Sequence, residues 1–281
     1  MLYKRLPEFK VCLQAARVKT LPVVICPVVI GASLAQSFGL LFWVILLAAV
    51  LIQITANLAN DLFDFKQGAD TDIRIGPKRV LASSLATEQQ MSNLLLLIVC
   101  LTLFLGLYIV LNSDWVILLV GIISVCLAFA YTTGPIKLSY LGISDLFVFI
   151  FFGPIACAGT YYVLRSNLSD LSLLAGVDCG LISTAILVVN NTRDIKEDLT
   201  TGKLTLQARL GRSFANIEYL LLVLVPAFIF RGSSMIIYTC FAVLLVMLFF
   251  KAKSGNAFNR LLALSSGLLV CFMTLFICDF V

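Results

Sequence analysis

Apolar residues dominate the chain in long runs, and polar residues collect between these runs or at their ends. Nine runs approach the length of about 20 residues that a helix needs to cross a bilayer. Their predicted bounds are residues 21–38, 41–63, 91–111, 115–131, 146–164, 173–191, 217–230, 234–250 and 261–280. The pattern predicts an all-α, polytopic membrane protein, a nine-helix transmembrane bundle in a single domain of residues 1–281.

Composition agrees with a membrane setting. The 281 residues are 61% hydrophobic and 12% charged, whereas about a quarter of a typical soluble domain is charged. The mean hydropathy is +1.06. The chain contains no histidine, which excludes imidazole metal sites and acid–base chemistry based on histidine. We therefore expect the lipid bilayer as the surroundings, and we expect no nucleic-acid partner.

Basic residues set the predicted orientation. Residues 1–19 alternate basic and apolar positions, which is typical of an amphipathic helix on a membrane surface. With this segment in the cytoplasm and nine crossings, only Arg165 and Arg231 of the 20 basic residues fall outside. Positive charge concentrates on the cytoplasmic side of membrane proteins. The distribution therefore favours both the count and the orientation.

Two polar motifs interrupt the apolar pattern. Residues 57–64 read NLANDLFD and continue to Asp70, while residues 190–194 read NNTRD and continue to Asp198. In a helix, side chains three and four residues apart share one face. Both motifs follow membrane-length runs that end in the cytoplasm, so the two sets of oxygens can face each other. Carboxylates are costly in a membrane segment, which makes these motifs the candidate site.

The residue types in the motifs suit a metal and a phosphate group. Carboxylate and amide oxygens are ligands that Mg²⁺ prefers, and arginine forms forked contacts with phosphate. Together they would stabilise a departing diphosphate, and aromatic rings can face the allylic cation left behind. Two simpler readings stay open: carboxylates at helix ends often face water, and tyrosines often anchor a protein at the membrane interface.

Four stretches carry a resemblance that covers nearly the whole chain: residues 57–72 (NLANDLFDFKQGADTD), 74–79 (RIGPKR), 131–162 (YTTGP through GTYY) and 190–211. They resemble the UbiA superfamily of intramembrane prenyltransferases, and within it the branch that acts on 1,4-dihydroxy-2-naphthoate in menaquinone synthesis. The resemblance implies a helix bundle around a central cavity, in the bacterial cytoplasmic (inner) membrane, with its active site facing the cytoplasm.

The resemblance also implies Mg²⁺-dependent binding of a polyprenyl diphosphate. The implied metal ligands are Asn57, Asp61, Asp64, Asp70, Asn190, Asp194 and Asp198, of which Asp61, Asp64, Asp194 and Asp198 are the catalytic residues. The implied substrate-binding residues are Asn57, Asn60, Asn190, Arg74, Lys78, Arg79, Lys137, Arg193, Lys203, Tyr131 and Tyr161. The chain departs from the pattern at Ser84, where relatives often have glycine, and this puts the local loop conformation in question.

The implied reaction transfers a polyprenyl group to 1,4-dihydroxy-2-naphthoate with loss of CO₂ and gives demethylmenaquinol. Other acceptors of the superfamily stay open: 4-hydroxybenzoate, homogentisate, haem and a glyceryl phosphate. A membrane transporter is the alternative of a different class, but it would place its acids near the bilayer midplane on broken helices. A non-catalytic lipid-binding scaffold would not need both acidic motifs.

Overall fold

The computed structural model describes residues 6–68, 76, 79–133, 137–230, 232 and 234–281, and within these residues the regular structure is entirely helical. A 3₁₀ turn at Val18–Thr20 and a π-helical turn at Phe151–Ile155 join neighbouring helices. The α-helices are α1 Phe9–Ala16, α2 Pro22–Leu34, α3 Leu40–Lys66, α4 Glu88–Leu111, α5 Trp115–Ala130, α6 Leu138–Leu141, α7 Ser144–Ile150, α8 Ala156–Arg165, α9 Asp170–Thr201, α10 Leu206–Leu224, α11 Pro226–Ile229, α12 Met235–Lys251 and α13 Gly255–Phe280.

The protein is an integral membrane protein, but the predicted count of nine crossings is not confirmed. Within the described residues, six helical segments are long and apolar enough to span a bilayer: Leu40–Lys66, Glu88–Leu111, Ser144–Arg165, Asp170–Thr201, Leu206–Ile229 and Gly255–Phe280. A seventh span results if Phe9–Thr20 and Pro22–Leu34, which are bent by 61°, cross as one unit. The apolar helices α5 and α12 have 16 and 17 residues, fewer than the roughly 20 that a full crossing needs.

Helix α9 is the centre of the bundle. It packs against α2, α7, α8, α10, α11 and α13, and most of its residues between Ser172 and Asp198 are buried. A membrane helix buried on all sides presents small residues where neighbours approach closely. Here Gly176 and Gly180 form such a small-residue pair, one turn apart on the same face.

The helix break predicted at residues 153–154 packs against the small-residue pair Gly176 and Gly180. Gly153 has non-helical φ and ψ of −123° and −108°, and a Cβ added there would lie 2.7 Å from the Gly180 Cα. A Cβ added to Gly176 would lie 2.7 Å from the Pro154 Cα. The break is therefore fixed by direct backbone contact, which the missing side chains allow. It aims the following helix, α8, along one wall of a large cavity.

We predict that Gly180→Ala destabilises the protein, because its new methyl group would meet the Phe149 backbone and ring. Overpacking of this kind costs about 1–3 kcal/mol. The matched control is Gly159→Ala in α8, where an added Cβ meets no atom within 4 Å among the described residues. The control should be neutral or stabilising by up to about 1 kcal/mol. Thermal unfolding in detergent measures both variants, and equal midpoints would contradict the packing role of Gly180.

Candidate active site

The two polar motifs lie at the same end of the bundle. Residues 57–64 form the last turns of α3, and residues 190–198 lie in the last turns of α9. A small polar pocket is lined by Asn60 from α3 and by Asn190, Asp194 and Asp198 from α9. The predictions that both motifs are helical and that they face each other are confirmed.

A large apolar cavity begins where the polar pocket ends. It has a volume of about 1330 Å³ and is lined mainly by aliphatic side chains of α2, α3, α4, α5, α8 and α9, with aromatic rings from Tyr131, Phe147, Phe151 and Phe152. Arg17, Asn60, Arg79, Tyr131 and Asn190 line both the cavity and the polar pocket. The polar pocket and the apolar cavity are therefore continuous, and these five polar residues lie at their boundary.

Asp64 is the electrostatic centre of the first motif. Its side chain is fully buried, and its Oδ2 lies 2.6 Å from Arg79 Nη1 and 2.7 Å from Lys203 Nζ. One turn earlier, Asp61 Oδ1 accepts a hydrogen bond of 2.8 Å from Arg17 Nη2. Because a buried carboxylate needs charge compensation, the three basic side chains offset the negative charge of the motif.

Arg79 is positioned by a single helical turn. The amide nitrogens of Ser84 and Leu85 donate to the carbonyl oxygens of Leu81 and Val80, which is the Schellman pattern that ends a helix. Ser84 occupies the left-handed position of this pattern with φ of 55°, a conformation that glycine adopts without strain. Val80 and Leu81 are buried against α3 and α4. The turn is thereby anchored with Arg79 at its start.

Lys203 reaches the first motif from the second. Gly202 ends α9 in the left-handed conformation with φ of 74°, and the Lys203 amide donates to the Asp198 carbonyl over 2.8 Å. This reversal sends the lysine back toward Asp64. The Lys203–Asp64 ion pair therefore joins the end of α9 to the end of α3.

Arg17 is a site residue that the sequence reasoning missed. Residues 1–19 are predicted as a surface helix, but α1 packs against α3 and ends at Arg17 in the left-handed conformation with φ of 52°. Asn57 Nδ2 donates to the Ala16 carbonyl over 3.0 Å, which fixes the bend. A left-handed arginine is strained by about 1–3 kcal/mol. The only sequence signal was its place just before the apolar run predicted at residues 21–38.

The second motif is organised around Arg193. Its Nε and Nη2 donate to Asp194 Oδ1 and Oδ2 over 2.7 and 2.6 Å. Nη2 also donates to Asn190 Oδ1 over 2.8 Å, and Nη1 donates to Asn259 Oδ1 of α13 over 2.8 Å. The predicted substrate-binding arginine is thus engaged by three protein partners, and it orients two of the predicted metal ligands.

A buried polar network supports α9 from behind. Asn191 Nδ2 donates to Gln207 Oε1 over 3.0 Å, and Gln207 Nε2 donates to Asp145 Oδ1 over 3.3 Å and to Glu218 Oε2 over 2.7 Å. Gln207 is fully buried. The network links α7, α9 and α10, and it holds the second motif against both neighbours.

Two predicted substrate-binding residues, Lys137 and Tyr161, line neither the cavity nor the polar pocket. Lys137 Nζ donates to Gln67 Oε1 and lies 5.0 Å from the centre of the Tyr140 ring. Tyr161 lines neither space, whereas Gly159, Thr160 and Val163 on the same helix line the cavity, because helical rotation turns residue 161 to the other side. Three further predicted site residues, Asp70, Arg74 and Lys78, lie outside the described residues.

The aromatic ring of Tyr140 lies beside Lys137 and Lys203. Lys203 Nζ lies 5.6 Å from its ring centre. Partial burial raises the pKa of the Tyr140 phenol, and the nearby Asp64 carboxylate raises it further. The ring therefore stays neutral and can face cations.

The donor set fits a magnesium ion that arrives with a phosphate group. Asp64 Oδ1 and Asn60 Oδ1 are buried oxygens without a hydrogen-bond partner among the described residues. Within the same residues, no three acidic or thiol side chains are grouped as a complete metal site. Mg²⁺ is typically held by one or two carboxylates together with substrate phosphates. The protein therefore supplies oxygen ligands of the right type but leaves coordination positions to a ligand.

The fold and site define a helical membrane protein that presents paired carboxylate motifs at the mouth of a lipid-like cavity. The UbiA prenyltransferase family matches residues 20–275. The chain belongs to this family.

Characterised relatives match most of the chain. It is 35% identical over 221 residues to 1,4-dihydroxy-2-naphthoate octaprenyltransferase of Escherichia coli (strain K12), covering 75% of this chain and 72% of the relative. It is 37% identical over 216 residues to the enzyme of that name from Mycobacterium tuberculosis, covering 75% and 74%.

Solved structures share the fold at low sequence identity. The apo UbiA homolog from Aeropyrum pernix K1 superposes with a TM-score of 0.71 at 16% identity, covering 93% of this chain and 98% of that one. The UbiA homolog from Archaeoglobus fulgidus bound to DMAPP and Mg²⁺ gives a TM-score of 0.58 at 12% identity, covering 94% and 99%. These two likenesses concern the fold.

We predict that Ser84→Gly stabilises the protein by about 1 kcal/mol, because glycine adopts the left-handed conformation without strain. Ser83→Gly is the matched control: Ser83 lies in the same turn at negative φ, and the change should destabilise by about 0.5 kcal/mol. Thermal unfolding midpoints in detergent compare the two variants. A lower midpoint for Ser84→Gly than for the unmodified protein would contradict the assigned turn.

Proposed function

We propose that the protein transfers a polyprenyl group from an allylic polyprenyl diphosphate to 1,4-dihydroxy-2-naphthoate, with loss of CO₂, and gives demethylmenaquinol. The observation that carries the proposal is the meeting of two carboxylate motifs at the mouth of a 1330 Å³ apolar cavity. The charged end suits a diphosphate, and the cavity suits a long isoprenoid. The relatives named 1,4-dihydroxy-2-naphthoate octaprenyltransferase support the acceptor.

The proposed metal ligands are the oxygens of the two motifs. Asp61 and Asp64 would serve from α3, Asp194 and Asp198 from α9, with Asn57, Asn190 and Asp70 completing the set. When bound, Mg²⁺ supplies positive charge that neutralises the diphosphate and favours its departure. The homolog solved with DMAPP and Mg²⁺ supports this choice of cofactor.

The basic side chains exchange partners in this proposal. Arg17, Arg79 and Lys203 now pair with Asp61 and Asp64. A diphosphate would draw these cations toward its oxygens, while the carboxylates turn to the metal. Arg193 keeps Asn190 and Asp194 oriented, and Arg74 and Lys78 belong to the same proposed binding set.

The bond changes balance without an added oxidant or reductant. The C1–O bond of the prenyl diphosphate breaks, and its electron pair leaves with the diphosphate. The ring carbon that carries the carboxylate attacks C1. The bond between that carbon and the carboxylate then breaks, its electrons restore the aromatic ring, and CO₂ leaves. Tyr131, which lines both spaces, would face the allylic cation with its ring.

The proposal includes the membrane arrangement. The chain would cross nine times as one domain, with the shorter helices α5 and α12 and the bent N-terminal pair each forming a crossing. The basic loops then face the cytoplasm, in line with the charge rule, and the site opens toward the cytoplasm from a bacterial inner membrane. A transporter is disfavoured because its acids would lie near the midplane, whereas these acids end their helices.

The acceptor assay tests the function directly. We expect the purified protein, given Mg²⁺, octaprenyl diphosphate and 1,4-dihydroxy-2-naphthoate, to form a prenylated naphthoquinol and to release CO₂. EDTA should abolish turnover, and added Mg²⁺ should restore it. Turnover with 4-hydroxybenzoate, homogentisate, haem or a glyceryl phosphate in place of the naphthoate would overturn the proposed acceptor. Turnover that survives EDTA would overturn the metal.

We further predict that Asp61→Asn and Asp194→Asn each lower kcat at least about 100-fold, because each removes a carboxylate that would hold the Mg²⁺, whose positive charge stabilises the departing diphosphate. The control is Glu88→Gln, which changes an exposed carboxylate at the start of α4 and should keep near-normal activity. Product formation is followed by chromatography, and retention of the folded protein by its elution in detergent. Near-normal turnover of either aspartate variant would remove that residue from the ligand set.

A further inference from the structure

The apolar cavity is lined by polar side chains with atoms that have no hydrogen-bond partner in the described part of the chain. Among the described lining residues, Gln53 Oε1 and Ser183 Oγ are buried and have no hydrogen-bond partner. Other hydroxyl groups in the same wall are satisfied: Ser124 donates to the Val120 carbonyl over 2.7 Å, and Thr160 donates to the Ala156 carbonyl over 2.7 Å. Buried polar atoms without a partner are rare in native proteins and call for an explanation.

Their positions relate them to the charged site. Gln53 precedes Asn57 by four residues on α3, and Ser183 precedes Asn190 by seven residues on α9. At 1.5 Å per residue, they lie about 6 Å and about 10 Å deeper along their helices than the motifs. Both spacings keep the side chains on the faces that carry the motifs. Two polar groups therefore lie just below the charged site, on the two helices that form it.

We propose that Gln53 and Ser183 form the subsite that recognises the ring hydroxyl groups of the aromatic acceptor. The inference rests on the proposed function and deepens it. A ring hydroxyl would donate to Gln53 Oε1, and the other would pair with Ser183 Oγ. The acceptor carries two hydroxyl groups on opposite sides of one ring, which matches one polar group from each of two helices.

The alternative occupant of this depth is the isoprenoid chain, and the chemistry disfavours it. An isoprenoid has no polar atom, so it would seal both groups away from water without a partner, which is unfavourable. The acceptor ring must also lie next to C1 of the prenyl diphosphate, one bond beyond the phosphate oxygens. A position one to two helical turns below the motifs meets this requirement, and the chain can then occupy the apolar remainder.

The test removes one hydroxyl from the ligand and one polar group from the protein. The probes are 1,4-dihydroxy-2-naphthoate and two analogues, 1-hydroxy-2-naphthoate and 4-hydroxy-2-naphthoate, each measured by its inhibition or saturation of turnover in the full-length protein. We expect the unmodified protein to bind at least one analogue about tenfold more weakly than the full acceptor. In Ser183→Ala and in Gln53→Leu, the penalty for one missing hydroxyl should disappear.

Ser124→Ala is the matched control, because Ser124 lines the same cavity but its hydroxyl is already bonded within α5. It should leave the analogue ratios unchanged. The KM for octaprenyl diphosphate should stay within about twofold in all variants, since the subsite serves the acceptor alone. If Gln53→Leu does not accumulate as folded protein, Gln53→Met takes its place.

The outcomes separate this inference from the proposed function. If the unmodified protein turns over the naphthoate but the analogue ratios stay the same in both variants, the subsite is wrong and the function stands. A raised KM for the prenyl diphosphate without a change in those ratios would assign the two residues to the chain instead, which also overturns the subsite. Absence of turnover with any aromatic acceptor would overturn the function, and the subsite with it.

Discussion

The structure depends on charge compensation for the buried carboxylate of Asp64. Its carboxylate is fully buried, and it is compensated by Arg79 from the turn after α3 and by Lys203 from the turn after α9. Removing one partner from such a buried pair is strongly unfavourable, so all three segments must dock together. The same contact therefore closes the bundle at one end and assembles the charged site.

In this arrangement, the basic and acidic side chains of the site can exchange their internal ion pairs for contacts with a charged ligand. The basic side chains that neutralise Asp61 and Asp64 are of the types that bind phosphate, and the carboxylates they hold are of the types that bind Mg²⁺. A metal–diphosphate complex brings both opposite charges at once, so neither partner is left uncompensated during the exchange. A neutral lipid brings neither charge, and it leaves the internal ion pairs intact. The charge pattern thus favours a ligand that carries a diphosphate together with its metal.

The sequence predicts the parts of this fold that follow from local chemistry. Residue spacing predicts that 57–64 and 190–198 are helical and share faces, and glycine next to proline predicts the break at 153–154. Features that arise from tertiary contact escape it. Arg17 reaches Asp61 because Asn57 holds the Ala16 carbonyl at a left-handed bend. No local sequence pattern predicts such a bend. The prediction that Tyr161 binds substrate is likewise not supported by the lining of the cavity. The rotation of α8 places Gly159, Thr160 and Val163 on the cavity wall and turns Tyr161 away from it.

The polarity of the residues that line the cavity changes with depth, and this limits which ligands can bind at each level. The polar side chains of the two motifs, among them Asp61 and Asn190, come first. Gln53 and Ser183 follow about 6 Å and about 10 Å deeper along α3 and α9, and aliphatic residues of α4 and α5 line much of the remaining cavity. A ligand bound along this axis contacts charged groups first, then neutral polar groups, and finally apolar side chains. An allylic diphosphate alone matches the first and last layers but leaves the middle layer without a partner. A second, hydroxylated substrate beside its reactive carbon fills that layer, and the layered polarity thereby argues for two substrates in one cavity.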